Sequence, residues 1–579
     1  MDRNNRQEHS KDWLARYANN YHAWHPTTIN GKKAYKRPLG LVEWSFDTDG
    51  TDYGGRADMN ALFTLEIRHS LSKKDFRRKI ALAWANLCLQ HIMLQSKAQG
   101  GEEREFVIEL QDSTQDVLDE TLKSIVWVED FYPDVNPREL HRHILNVGRV
   151  IDPSICLSRL HVLPLEALPN GNFLCHFLVV IAHQTSDGLS AYNWFSHFLR
   201  ILNTPSIAIE REIESFRSAE SIESQLPPAQ EDLYPSISGT KARQRWFWVI
   251  MRVLRHIRKS LPATFTNPLR RSQRLAETAS LPPTFSKLFD YSAERRPPNN
   301  SFHCTASLSP SASHRLISTC RSINVSVGAG AFALAGLSMM ELERQHHPNI
   351  PDAERRPFAA SFPLNPRTFF GWTPPAESCM LAFSDGIVMP FLPSSLPIEG
   401  RFRLLARQAN RQLRVYQKRL KTGSTGGVHT SLSLDPHSPG RLLASGYLYQ
   451  IERVEGKLPD DRKTGINPQG AYPANSSQFG ATCGVSSIGS TASFFPPGQF
   501  NLDDPSFGVN GKDFVADFRG LKMGVRARDN EFLVGSSTDG NGIVSFGVSY
   551  DGNSISEEAA ERWAQKITSL FERGDGPKL

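Results

Sequence analysis

Residues 182–188 read Ala182-His183-Gln184-Thr185-Ser186-Asp187-Gly188. Imidazole is the side chain best matched to moving a proton near neutral pH. His183 directly follows the apolar run Phe173–Ala182, and Gly188 leads into another, Leu189–Leu202. A base at the end of a strand is held by the sheet while its ring faces a cleft. Asp187, four residues on, is placed to pair with a distant Arg and so lock the loop. Gly188 would let the backbone turn into a helix. The same residues also allow a plainer arrangement, a packed His finishing a strand and an Asp capping a helix.

Other chemistry finds little support. The pairs His346-His347 and His141/His143 lack ligand spacing with Cys or Glu, so no metal centre is expected. The seven cysteines (88, 156, 175, 304, 320, 379 and 483) form no CxxC pair, which argues against a zinc ribbon, a thioredoxin-type site and a disulfide scaffold. The segment from Gly484 to Gly489 fails the spacing of a GxSxG nucleophile elbow. No P-loop or GxGxxG is present, so a nucleotide cradle is not expected.

The elements that must position His183 are legible on both sides of it. Ser72, with Asp75 three residues on, caps a helix whose apolar positions include Phe76, Ile80, Trp84 and Leu87. Segments 159–165 and 173–182 flank Pro169-Asn170-Gly171-Asn172 as a hairpin, its second strand apolar throughout and so buried on both faces. Later, Ser309-Pro310 is a helix start, 327–344 is a helix rich in small residues, and a basic helix covers about 400–420. Strands are expected at 61–67, 358–363, 386–390, 482–488, 517–523, 531–536 and 543–550, with a final helix from Ser556. The class is α/β or α+β, in an N-terminal unit 1–203, a linking insertion 204–300 and a C-terminal unit 301–579.

Composition agrees with a folded protein. Of 579 residues, 39% are hydrophobic and 22% charged, which excludes a disordered chain. The 66 Lys+Arg against 60 Asp+Glu give a net charge of +6. Residues 241–274 alone contribute ten Lys/Arg and no Asp/Glu, leaving the rest at −4. As a helix, 241–259 would place Trp246, Val249, Ile250, Val253, Leu254 and Ile257 on one face. The other would carry Lys241, Arg245, Arg252, Arg255, Arg258 and Lys259, with Trp248 among them. Such a helix packs its apolar face on a lobe or lies on an anionic membrane as a peripheral contact. One basic helix is too thin a footprint for nucleic acid. No apolar stretch reaches the 20 or so residues of a membrane span, and the polar start lacks the apolar core of a signal peptide. A cytoplasmic monomer is expected.

The motif resembles the HxxxDG signature of the CoA-dependent acyltransferase superfamily, which includes chloramphenicol acetyltransferases, plant acyltransferases, fungal alcohol and trichothecene acetyltransferases, and peptide-synthetase condensation domains. Arg37-Pro38-Leu39-Gly40-Leu41-Val42-Glu43 resembles the opening segment of fungal members. Residues 307–339 resemble the start of the second lobe, Val485-Ser486-Ser487-Ile488-Gly489 its VSNxG segment, and 545–567 its closing strand and helix. The plant DFGWG motif is absent, and Ala182 stands where condensation domains usually carry a second His.

The resemblance implies a pseudo-dimer of two chloramphenicol-acetyltransferase-like lobes. His183 would act as general base on a hydroxyl or amine of a small-molecule acceptor in secondary metabolism. The acceptor would then attack an acyl-CoA co-substrate in a tunnel between the lobes, without a metal or covalent acyl-enzyme. Arg367 stands where relatives carry the Arg that fixes the motif Asp, and Ser486 and Ser487 are the oxyanion donors it suggests. The alternatives are a condensation-type enzyme fed by a carrier protein and a non-catalytic scaffold. Trp372 and Phe383 are aromatic candidates for the acceptor side.

Overall fold

The computed structural model describes residues 13–101, 103–257, 262–370, 374–384, 386–416, 429–430, 438–475, 481–509 and 512–572. Two six-stranded sheets dominate. The first runs Phe514–Val525, Met59–His69, Phe173–Ile181, Ser158–Val162 and Ile125–Trp127, with Glu166–Ala167 pairing on Phe173–Ile181. The second runs Ser301–Ser307, Val544–Asp551, Phe532–Thr538, Cys483–Ser490, Phe358–Ser361 and Ile387–Met389. Each carries its own core. Phe63, Leu65, Trp84, Phe177 and Phe198 are in the first, and Leu316, Phe358, Phe402, Val534 and Trp563 in the second.

Local rules explain the helices around these sheets. Ser72 accepts from the Asp75 amide at the start of Lys73–Gln90, Ser309 from Ala312 at Pro310–Ser322, and Ser556 from Ala559 at Glu557–Ser569. Each satisfies an amide that the first turn leaves without a partner. The Phe173–Ile181 strand lies between Met59–His69 and Ser158–Val162, antiparallel to both. Its continuous apolar sequence follows from that central position. The basic helix spans Ile398–Val415.

The strand Phe514–Val525 belongs to the first sheet, although it lies far beyond the first unit in sequence. It runs antiparallel along the full length of Met59–His69, with a register shift between Phe518 and Gly520. The insertion also packs on both sides. Ile209, Ile213, Phe285 and Phe289 join the first core, and Phe265 and Leu269 the second.

The helix Lys241–His256 corrects the expected face. Its buried residues are Phe247, Trp248, Met251 and Arg255, whereas Trp246, Val253 and Ile257 are exposed. Trp248 packs edge-on against Trp13 and Tyr17, with ring centroids 5.1 and 4.9 Å apart. Arg255 is tolerated inside because Glu452 and Gln469 accept from it at 2.8 and 2.9 Å. The aromatic cluster outweighs the aliphatic stripe, since large rings gain more from burial. Arg258 and Lys259 lie outside the described residues. Among the described residues, no single helix is long and apolar enough to cross a membrane.

Candidate active site

A cavity of about 1300 Å³ is walled by residues from both sheets, among them His183, Gly188, Phe383, Ser486, Arg453 and Arg528. His183 is the second residue after the Phe173–Ile181 strand, and it lines this cavity. The ring stacks flat on Phe46, with centroids 3.8 Å apart and planes within 5°. Its Nδ1 is buried and has no hydrogen-bond partner among the described residues. Burial, with the charge of Arg528 acting in the same direction, pulls the His183 pKa down to about 4 against the opposing pull of its own backbone and Asp187. The imidazole is therefore neutral at pH 7, the state a base requires.

Asp187 serves both roles that the sequence left open. It is the N-cap of the helix Gly188–Leu202, Oδ1 accepting from the Ser190 amide at 3.0 Å. Its Oδ2 lies 2.8 Å from Arg367 Nη1, with both side chains buried, and accepts from the Met380 amide at 3.1 Å. Arg367 Nη2 donates to the Ser378 carbonyl at 2.6 Å, which Ser190 Oγ also reaches at 2.9 Å. A carboxylate with donors on both oxygens is fixed in orientation, and so is the loop carrying His183.

Gly188 departs from its expected part. Its φ is not in the left-handed region, so the turn needs no glycine. A side chain there would instead reach from the cavity wall toward Ile488 Cδ1, 3.5 Å from a Cβ. Of the two serines, Ser486 lines the cavity. The exposed Ser487 points to the opposite side, its Oγ accepting from the Gly489 amide at 3.3 Å. Adjacent residues of a strand face opposite ways, which removes Ser487 from the site. Phe383 lines the cavity, and Trp372 lies outside the described residues.

Sequence reasoning missed what supports the imidazole from the other side. The helix Leu41–Asp52 supplies Phe46 and, one turn on, Asp49. Asp49 pairs with Arg56 at 2.7 Å, with Arg528 at 3.0 Å and with Lys457. The helix is anchored by its own opening segment. Arg37 holds Glu43 through two bonds of 2.7 Å, and Glu43 accepts from the Gly40 amide. The run Arg37–Glu43 carries a signal for this: an Arg three residues before a helix N-cap that has Glu at its third position. Among the described residues, no group of three or more His, Cys, Asp or Glu could hold a metal ion.

Acid should unfold this protein early. Burial lowers His22 to about 3 and His161 and His183 to about 4, below the unfolded value of 6.5. A histidine whose folded pKa is depressed lets the unfolded chain bind more protons, so stability is lost as pH falls below 6.5. These three alone would remove up to about 4 kcal/mol per pH unit between pH 6 and 4. A Tm series from pH 7.5 to 4.5 checks this, and a Tm constant down to pH 5 would contradict it.

No family model matches the sequence, and no curated protein matches it significantly. Solved structures do. Trichothecene 15-O-acetyltransferase from Fusarium sporotrichioides superposes with a TM-score of 0.61 at 10% identity, over 95% of this chain and 98% of that one. An epimerization domain of tyrocidine synthetase B gives 0.48 at 11% identity, over 96% and 98%. The condensation domain of Monacolin K polyketide synthase gives 0.47 at 10%, over 93% and 96%. With two sheets closing on a cavity that His183 lines, the chain shares its fold with the trichothecene 15-O-acetyltransferase structure.

Proposed function

We propose that the protein is an acyltransferase that moves an acyl group from acyl-CoA to a hydroxyl or amine of a small molecule. The observation that carries this reading is His183 on the wall of a cavity between the two sheets, its loop tied down by the Asp187–Arg367 pair. His183 accepts the proton of the acceptor as its oxygen or nitrogen attacks the thioester carbonyl. The C–S bond then breaks, and the same proton leaves with the CoA thiolate. Thiolate is a good leaving group, so the barrier is met by positioning and by oxyanion stabilisation. Ser486, on the cavity wall, is the side chain we assign as donor to that oxyanion. We further propose that 1–203, completed by the strand Phe514–Val525, forms one lobe, that the rest of 301–579 forms the other, and that 204–300 links them.

The fold also serves donors bound to carrier proteins, and the test must separate the two. Purified protein is offered acyl-CoAs of increasing chain length with a panel of alcohols and amines, and the same acyl groups on a carrier protein. Products are followed by mass and by released thiol. Transfer from free acyl-CoA supports the proposal. Transfer only from the carrier protein would replace it with a condensation-type reaction.

A further inference from the structure

Among the described residues, nothing claims the cation of Arg453. It projects from the helix Pro439–Lys457 into the cavity that His183 lines, its Cζ 4.1 Å from the centre of the Phe383 ring. Among the described residues it has no ion pair and no side-chain hydrogen bond. The carboxylates around it are committed elsewhere. Glu452 is bound by Arg255, Asp49 by Arg56, Arg528 and Lys457, and Glu531 by Arg528 at 3.5 Å. Burial, reinforced by the like charge of Arg528, lowers the Arg453 pKa to about 10, and it remains charged near neutrality.

Its neighbour places it relative to the chemistry. Arg528 Cζ lies 5.5 Å from the Phe46 ring, whose face stacks on His183, and its charge bears on both His183 and Arg453. A half-buried guanidinium with free donors loses hydration and regains it only from an anion. A guanidinium held over an aromatic ring keeps its planar fork of N–H donors for a planar oxyanion. Lys457, one turn on from Arg453 in the same helix, has its Nζ 5.9 Å from the Phe46 ring. The phosphates of CoA are separated from its sulfur by the whole pantetheine arm, so a cation on this side of the cavity meets the acceptor.

On the acyltransferase reading above, we infer that Arg453, with Arg528 beside it, binds a carboxylate of the acceptor, and that the acceptor is a hydroxy or amino acid rather than a neutral alcohol. The probes are matched pairs of hydroxy acids and their methyl esters, aromatic and aliphatic, para-hydroxymethylbenzoate among them. Calorimetry on the unmodified protein should show at least one acid binding about tenfold more tightly than its ester, the size of one charge-assisted bond. Arg453→Gln should erase that preference at unchanged Tm, and Arg453→Lys should keep part of it. If no acid binds more tightly than its ester, or if the preference survives Arg453→Gln, the inference falls. It also falls if Arg453→Gln raises KM for acetyl-CoA but not for S-acetylpantetheine, which would assign the cation to the phosphates of CoA. Because binding is read without turnover, an acid preference that depends on Arg453 in a protein that transfers no acyl group would reject the acyltransferase reading and leave this one standing.

Discussion

His183→Ala should lower kcat/KM for acyl transfer by about 100- to 10,000-fold, the usual range for loss of a positioned general base. The fold should survive, because Phe46 and the strand that ends before His183 are held by other contacts. The pH dependence of the wild type sharpens the test. A base with the unperturbed pKa of 6.5 would give a rate that falls below about pH 7. With burial holding His183 at about 4, kcat/KM should instead stay flat from pH 8 down to the onset of acid unfolding. Turnover that survives in His183→Ala would end the proposed mechanism. An acid limb near 6.5 would show that substrate meets a different group.

The second large effect concerns the pair behind the motif. Removing one member of a buried ion pair leaves the other charge without compensation, a cost of about 3–5 kcal/mol. Asp187→Ala should be the more damaging single change. It strands Arg367, whose Nε already has no partner among the described residues, and also uncaps the helix Gly188–Leu202, adding about 1 kcal/mol. Arg367→Ala leaves Asp187 with the Ser190 and Met380 amides as donors, so it should lose less. The double variant should be more stable than the two losses added together, because neither charge is then left alone. Thermal melts of the four proteins decide this. Additive losses would mean that the pair is not coupled and that Arg367 acts only on the Ser378 carbonyl.

How much of this was visible in the sequence depended on the range of the interaction. Caps at Ser72, Ser309 and Ser556 are settled within four residues, and all three begin helices as expected. The strand leading to His183 was legible because a central strand must be apolar on both faces. Asp187 and Arg367 lie 180 residues apart, so their meeting came only from resemblance. The stack of Phe46 on His183 carried no local signal, since one aromatic among many is indistinguishable before the fold brings it there. Lys241–His256 offered two apolar stripes, and the partner aromatics Trp13, Tyr17 and Tyr447 that chose between them come from distant segments. The choice between Ser486 and Ser487 needed only the two-residue period of a strand and one fixed neighbour to set its phase.

The strand Phe514–Val525 has a consequence for heredity. It completes a sheet whose other strands end by residue 181, so neither half of the chain carries a finished lobe. A gene cut between the halves would encode a first half with the edge of Met59–His69 bare, open to pairing with other chains. An exchange of one half for another would therefore have to match the lent strand, or leave that edge without its partner.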